Sequence, residues 1–188
     1  MAKNQTIILL AGLLVCLWSC DLPRPDLSGQ AELVPTTARD RIVHRAIHEI
    51  GVREEGGNNR GERIGEYLAA TGLGQGHPWC AAFTKWVYEQ EAIDTPGANA
   101  WSPSWFPTSQ TIWSRGGDLT PVRKADVFGI YYPNLKRIGH VGIIEKQENG
   151  WIYTIEGNTG DDQGREGDVV RRHKRSMKQV HKVANWID

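Results

Sequence analysis

The chain has 188 residues, enough for one domain with a sizeable hydrophobic core and too few for two ordinary domains. Its 22 Lys and Arg residues balance 22 Asp and Glu residues, and 39% of its residues are hydrophobic. This balance argues against a nucleic-acid partner, because nucleic-acid-binding domains are usually strongly basic. We therefore expect one globular domain with one site.

The N-terminus has the order of a secretory signal. Lys3 precedes an apolar run at 7–18, which is shorter than the roughly 20 residues that a transmembrane helix needs. Residues 17–20, Leu-Trp-Ser-Cys, resemble the lipobox of bacterial lipoproteins, in which the cysteine is lipidated and becomes the new N-terminus. Cys20 is therefore the expected lipidation site, and the alternative is an unmodified cysteine in a cleaved signal.

The same segment predicts the location and the domain boundaries. We expect an exported protein of the bacterial envelope, anchored to the membrane by lipid and facing the periplasm or cell wall. Residues 21–36 are polar, contain three prolines and lack periodicity, which is typical of a flexible tether. The predicted parts are a lipoprotein signal at 1–20, the tether at 21–36 and a globular domain at 37–188, whose chemistry the motifs below indicate.

The pattern of the domain changes from helical to β. Three helices are predicted, starting near Thr37, over 62–70 and over 80–89. Five strands are predicted after residue 113, over 126–132, 139–146, 151–156, 169–172 and 183–187. Helices first and antiparallel strands later indicate an α+β domain.

Cys80 is the first candidate for chemistry. At the first turn of a helix its thiolate is stabilised by the helix dipole and by unpaired backbone N–H groups. Those N–H groups can also bind the oxyanion of a tetrahedral intermediate. The alternative is a buried cysteine that serves only as a small hydrophobic residue.

His140 is the second candidate, on a strand with glycines at 139 and 142 that allow close approach of other groups. Its imidazole could take the thiol proton and return it to a leaving amine, and the alternative is a core histidine. Glu156 and Asn158 follow on the next strand, and either could orient the imidazole.

The turn between these strands decides which face Glu156 occupies. A two-residue Asn-Gly turn would point Glu156 away from His140. A three-residue turn with a left-handed glycine bulge would pair Gln147 with Trp151 and place Glu156 and Asn158 on the face of His140. We predict the bulged turn.

Four motifs make the chain recognisable: Pro-Trp-Cys-Ala-Ala-Phe at 78–83, Ala-Asp-Val at 125–127, Gly-His-Val-Gly-Ile at 139–143 and Glu-Gly-Asn-Thr at 156–159. With them, residues 37–187 resemble the CHAP family of cysteine, histidine-dependent amidohydrolases and peptidases, part of the NlpC-like group of papain-related folds.

The resemblance implies a papain-like α+β fold in which the cysteine begins a helix packed on an antiparallel sheet. It makes Cys80 the nucleophile, His140 the general base and acid, and Glu156 the orienting carboxylate, with Asn158 close by. Family members typically cleave peptidoglycan, either as N-acetylmuramoyl-L-alanine amidases or as endopeptidases of the stem peptide or cross-bridge. No cofactor is implied.

Two departures from the family pattern bear on structure and metal binding. Ala125 stands where the family often has glycine, and no acidic loop lies near Cys80 as in the calcium site of some phage members, so no metal is expected. His44 and His48 have metal-ligand spacing, but the helical pattern places both on the solvent face without a third ligand.

Other features leave alternatives open. The basic segment at 171–182 is either a solvated edge strand or a surface for an anionic wall or membrane. Aromatic side chains could line the substrate groove or simply pack, and they are Trp101, Trp105, Phe106 and Trp113. The loop at 58–60 could line the cleft or only turn the chain. Two rival functions remain, a cysteine peptidase acting on protein and an inactive peptidoglycan-binding lipoprotein.

Overall fold

The structure is a computed structural model that describes residues 35–117, 122–161 and 165–188. The predicted signal at 1–20, with Cys20, and nearly all of the predicted tether at 21–36 lie outside these residues. The helices of the described part are α1 (Ala38–His48), α2 (Glu62–Ala69) and α3 (Cys80–Gln90). The strands are β1 (Thr111–Ser114), β2 (Val127–Tyr132), β3 (Arg137–Glu148), β4 (Trp151–Thr159), β5 (Val169–Ser176) and β6 (Lys182–Ala184).

These strands form one antiparallel sheet in the order β1-β6-β2-β3-β4-β5. The α+β prediction is confirmed, with the cysteine at the N-terminus of a helix and the helices packed on an antiparallel sheet. The five predicted strands are present with shifted ends, since β5 continues to Ser176 and β6 ends at Ala184. The sequence analysis missed β1, a short strand at the edge of the sheet.

Side chains on the two faces of the sheet enter two hydrophobic clusters. Val127 and Ile143 pack with the three helices in the larger cluster, whereas their neighbours Phe128 and Ile144 belong to a smaller one. This division follows from the alternation of side chains along a strand. The sheet is therefore covered on both faces around the middle of β2 and β3.

A buried ion pair fixes α1 to the start of β2. Thr37 caps the helix in a reciprocal pair with Asp40, as predicted. Within the same first turn, Arg39 reaches Asp126, with 2.8 Å between Nη1 and Oδ1. Ala125, just before this aspartate, has a φ of 64°, in the left-handed region that glycine favours. This geometry gives a physical reason for glycine at that position in the family.

The predicted turn between β3 and β4 was wrong. Glu148 pairs with Trp151, so the connection is a two-residue Asn-Gly turn with positive φ at both residues. The extra residue lies instead within β3, where Glu145 is bulged between Ile144, opposite Thr154, and the next paired residue. Because of this bulge, β3 and β4 have the same pairing register near His140 as the predicted bulged turn would have given them.

Among the described residues, no helix is long and apolar enough to cross a membrane.

Candidate active site

Cys80 is the first residue of α3, and no side chain caps the start of this helix. The backbone N–H groups of its first turn therefore lack helical partners and lie next to the thiol. The side chain is 4% exposed, and its Sγ lies 3.8 Å from Oγ of Ser102. It is the free cysteine of the described residues.

His140 lies on β3 and contacts the carboxylate of Glu156 on β4, with 2.7 Å between Nε2 and Oε2. Both side chains are fully buried. The other ring nitrogen, Nδ1, makes no hydrogen bond of regular geometry within the described residues. It is left for the neighbouring Cys80, whose thiol is close enough for each group to shift the pKa of the other.

Arg175 on β5 holds the far side of Glu156. Its guanidinium donates from Nε to Oε1 and from Nη2 to Oε2, each at 2.6 Å, while Thr154 donates to Oε1 at 2.5 Å. Arg175 is 1% exposed. The Glu156 carboxylate therefore lies between two buried side chains, Arg175, which is cationic, and His140, which is cationic when protonated. The sequence analysis placed Arg175 among solvated charges and missed this contact.

The pKa shifts follow from this alignment. Burial raises the pKa of the Cys80 thiol, but the hydrogen bond and charge of His140 lower it by more, so the pKa falls below its usual value. Burial lowers the pKa of His140, whereas Cys80 and Glu156 raise it, with a net result of about 9. Burial opposes ionisation of Glu156, but Arg175 and His140 hold its pKa well below the usual range. The site therefore favours a thiolate beside an imidazolium.

Asn158 follows Glu156 by two residues on β4, and its side chain contacts the segment before Cys80. With its amide oriented to satisfy both neighbours, its oxygen accepts from the backbone N–H of Trp79 at 3.1 Å. Its nitrogen then donates to the carbonyl of Gly167 at 2.6 Å. Asn158 thus holds the residue before Cys80, whereas Glu156 is the partner of the imidazole.

Residues of the loop at 58–60 also support the segment before Cys80. The backbone N–H of Asn59 donates to one oxygen of Glu54 at 2.7 Å. The other oxygen of Glu54 accepts from the indole N–H of Trp79 at 2.8 Å. In the described residues, this loop stabilises the approach to α3 and does not line the groove at Cys80.

An open groove of about 290 Å³ reaches Cys80. Trp101 lines it and is 57% exposed, so one of the four aromatic residues considered above lies at the groove. Trp105 and Phe106 are buried in the larger cluster, and Trp113 belongs to the smaller one. Arg137 and Arg165 also line the groove, and none of its described lining residues is acidic.

Residues 72–158 match the family model of the CHAP domain. The chain is similar to CHAP domains over these residues, which make up a little under half of its length. The match contains Cys80, His140, Glu156 and Asn158, and over residues 72–158 it confirms the resemblance that the motifs indicated for residues 37–187. No curated protein sequence matches the chain.

Solved structures named as NlpC/p60 proteins have folds similar to that of this chain. RipD from Mycobacterium tuberculosis, described as a non-catalytic NlpC/p60 domain protein adapted to peptidoglycan binding, shares 13% identity and has a TM-score of 0.47. That alignment covers 80% of this chain and 98% of RipD. An NLP/P60 family protein similar to lipoprotein, from Staphylococcus aureus, shares 14% identity with a TM-score of 0.47, covering 84% and 45% of the two chains.

The wild-type endolysin LysIME-EF1 is also similar in structure, with 14% identity and a TM-score of 0.48. The alignment covers 81% of this chain and 65% of the endolysin chain.

His44 and His48 lie on α1, with 3.0 Å between their Nε2 atoms. In the part of the chain that the structure describes, no group of three His, Cys, Asp or Glu side chains could hold a metal ion.

Gly142 on β3 provides the space that Glu156 occupies beside His140. A Cβ at this position would lie 2.7 Å from Cγ of Glu156 and 2.8 Å from a ring carbon of Phe128. We expect Gly142→Ala to displace the carboxylate and to lower the free energy of unfolding by about 1–3 kcal/mol. Thermal unfolding measures the loss of stability.

Gly74→Ala is the matched control, because a Cβ there meets no atom within 4 Å. A Gly142→Ala variant as stable as the control would contradict the close contact between the two strands.

Proposed function

We propose that the chain is an exported cysteine hydrolase that cleaves amide bonds in peptidoglycan. The match to the CHAP family model supports a peptidoglycan-related role, and the observation that carries the chemistry is the buried alignment of Cys80, His140, Glu156 and Arg175. In this proposal the N-terminal signal at 1–20 directs export, Cys20 carries a lipid anchor, and 21–36 tethers the hydrolase domain at 37–188.

The reaction is acyl transfer through a thioester. The Cys80 thiolate attacks the amide carbonyl, and the resulting oxyanion is stabilised by backbone N–H groups at the start of α3. The tetrahedral intermediate collapses as its C–N bond breaks, and the His140 imidazolium gives its proton to the departing amine. Neutral His140 then takes a proton from water as that water attacks the thioester, and the acid product and Cys80 are released.

Glu156 and Asn158 have different roles in this mechanism. Glu156 holds the ring of His140 and stabilises its protonated form through the 2.7 Å contact at Nε2. Asn158 positions the backbone of Trp79, and through it the start of α3, so it acts on the nucleophile side. Both are positioning residues, because Cys80 and His140 are the groups that meet the substrate.

The groove supports a substrate that carries carboxylates. Arg137 and Arg165 lie beside Cys80 without an acidic lining residue in the described part, and Arg165 also pairs with its neighbour Glu166. Peptidoglycan stem peptides contain free carboxylates, which such a groove attracts. The exposed face of Trp101 supplies an apolar wall for the same substrate.

The test is mass spectrometry of soluble fragments released from purified peptidoglycan by the full chain in detergent. Cys80→Ser is the matched control, since it changes one atom of the proposed nucleophile. Fragments released by the wild type alone would identify the bond from their new termini and separate an amidase from an endopeptidase. No release from several wall types, with cleavage of an unfolded protein, would favour a protein peptidase.

A pH profile tests the role of His140. Its pKa of about 9 lies above the usual value of about 6.5, so the imidazolium persists through neutral pH and is lost as pH rises through about 9. We expect kcat/KM to fall on the alkaline side near pH 9, because the leaving amine then lacks its proton donor. Initial rates from pH 5 to about 10.5 would measure this limb.

Glu156→Gln should move the alkaline limb to lower pH, because the carboxylate raises the pKa of His140. An alkaline limb near the usual histidine pKa in the wild type would contradict the proposed imidazolium.

A further inference from the structure

A second cavity lies far from Cys80, at the turn between β3 and β4. It has a volume of about 560 Å³, and we call it the tryptophan cavity. Its lining includes Trp113, Arg115, Gln147, Asn149, Trp151 and Lys178. The cavity volume falls in the range of roughly 300–1,000 Å³ that is usual for small-molecule sites.

This cavity is separate from the hydrolase site. Gln147 at the cavity and His140 at the site lie on the same strand, β3, which puts them roughly 20 Å apart at the usual rise per residue. The groove at Cys80 shares no lining residue with the tryptophan cavity. A ligand in the cavity would therefore leave the nucleophile accessible.

The aromatic residues of the cavity have the properties of a binding wall. Trp151 begins β4 and is 42% exposed, with Nζ of Lys174 located 5.0 Å from its ring centroid. Trp113 is 92% buried, and its buried indole N–H has no hydrogen-bond partner in the described residues. An unpaired buried donor is costly, so a ligand acceptor or water at this position would stabilise the site.

Ion pairs neutralise part of the basic segment at 171–182. The ion pairs of β5 account for three arginines of the basic segment: Arg171 pairs with Asp161, Arg172 with Glu145 and Arg175 with Glu156. The segment therefore divides into arginines with acidic partners and lysines without one among the described residues, of which Lys174 lies over the rings of Trp151 and Tyr153.

Lys178 is one of those lysines, and it lines the cavity together with Arg115, whose Nε donates to the carbonyl of Val180. Neither has an acidic partner among the described residues, and no described lining residue is acidic. The cavity is therefore cationic, with the neutral amides of Gln147 and Asn149 beside the charges.

We propose that the tryptophan cavity binds an anionic glycan. The apolar C–H face of a sugar ring would stack on Trp151, and a carboxylate would pair with Arg115 and Lys178. The amides of Gln147 and Asn149 match hydroxyl and acetamido groups, which can both donate and accept hydrogen bonds. A glycan seated here would hold the domain on a polymer while Cys80 remains free for catalysis.

Isothermal titration calorimetry of the full chain in detergent tests this proposal. The probe is soluble peptidoglycan glycan strands from which the peptides have been removed, so their lactyl carboxylates are free. We expect binding that Trp151→Ala weakens by about tenfold, as for the loss of a central aromatic contact. Lys178→Gln should weaken it about threefold at low salt, with little effect at 1 M salt.

Matched controls lie outside the cavity. Tyr131→Ala removes another partly exposed aromatic side chain, and Arg60→Gln removes another exposed charge, so both should leave the Kd unchanged. Because the side chain of Trp151 is partly exposed, Trp151→Ala should unfold at nearly the same temperature as the wild type. A much lower thermal midpoint would indicate that the variant is misfolded.

The probe contains no stem peptide, so this result is independent of hydrolysis, and Cys80→Ser should bind as the wild type does. No binding, or binding unchanged by Trp151→Ala, would overturn the site. Equal binding of a neutral chito-oligosaccharide of the same length would overturn the proposed carboxylate contact. Binding to anionic lipid vesicles in place of the glycan, lost in Trp151→Ala, would overturn the ligand class.

Discussion

Replacing Cys80 with serine is expected to lower kcat for peptidoglycan hydrolysis by about 10⁴-fold or more, which is the scale for removing a nucleophile. The site stabilises a thiolate through His140, and the pKa of the thiol is lowered despite its burial. A serine hydroxyl has a far higher intrinsic pKa, so the same neighbours cannot ionise it. Release of soluble fragments over time measures the loss.

A double-variant cycle distinguishes a catalytic unit from independent contributions. His140→Ala alone should cost nearly as much as Cys80→Ser, and the double variant should cost little more than either, because the two groups act in the same step. Additive losses would contradict the paired mechanism. The three variants should bind peptide-free glycan strands alike, which checks that the rest of the domain is folded.

Replacing Arg175 with methionine is expected to lower the free energy of unfolding by about 3–5 kcal/mol, because it leaves a buried carboxylate without its bidentate partner. Arg175 and Glu156 are both almost inaccessible to water, so solvent cannot replace the lost hydrogen bonds. We also expect a lower kcat, since Glu156 would no longer be held against Nε2 of His140. Chemical denaturation and fragment release measure the two effects.

Two further variants test the cause. Arg175→Met combined with Glu156→Gln should recover much of the lost stability, because no uncompensated charge is then buried. It should not recover activity, because His140 still lacks a charged partner. Arg175→Lys keeps the charge but not the two-pronged geometry, so it should fall between wild type and Arg175→Met in stability. Equal stability of Arg175→Met and wild type would contradict the role of the buried pair.

Local patterns predicted most of the fold. Thr37 and Asp40 marked the start of α1, and the change from helical to alternating periodicity separated the helices from the sheet. β1 was missed because a short strand next to a Pro-rich and Trp-rich stretch has little periodicity of its own. Its partner is β6, far along the chain, and a pairing of that kind leaves no local signal.

The alignment of His140 with Glu156 was predicted correctly for a reason that was partly wrong. The register near the site required one extra residue, and the sequence analysis placed it in the turn, whereas the structure has it at Glu145. Asn-Gly is compatible with either arrangement, and a bulge within a strand depends on the neighbouring strands. Here Arg172 of β5 binds the carboxylate of Glu145, a contact invisible to a local pattern.

Arg175 was missed because a run of basic residues normally indicates a solvated strand. The available signal was the alternation along β5, which puts Arg175 on the same side as the buried His173. Glu156, a buried acidic residue on the adjacent strand β4, would then need a cationic partner such as Arg175. Both steps need the strand to extend to Ser176, four residues beyond its predicted end.

The bulge at Glu145 also bears on insertions and deletions in the hairpin. Lengthening β3 and β4 by one residue each would preserve the parity of their pairing, so His140 and Glu156 would still meet. Deleting Glu145 alone, with the two-residue turn kept, would rotate Glu156 to the other side of the sheet. Functional relatives should therefore change length between these positions in steps of two, or relocate the bulge when they change by one.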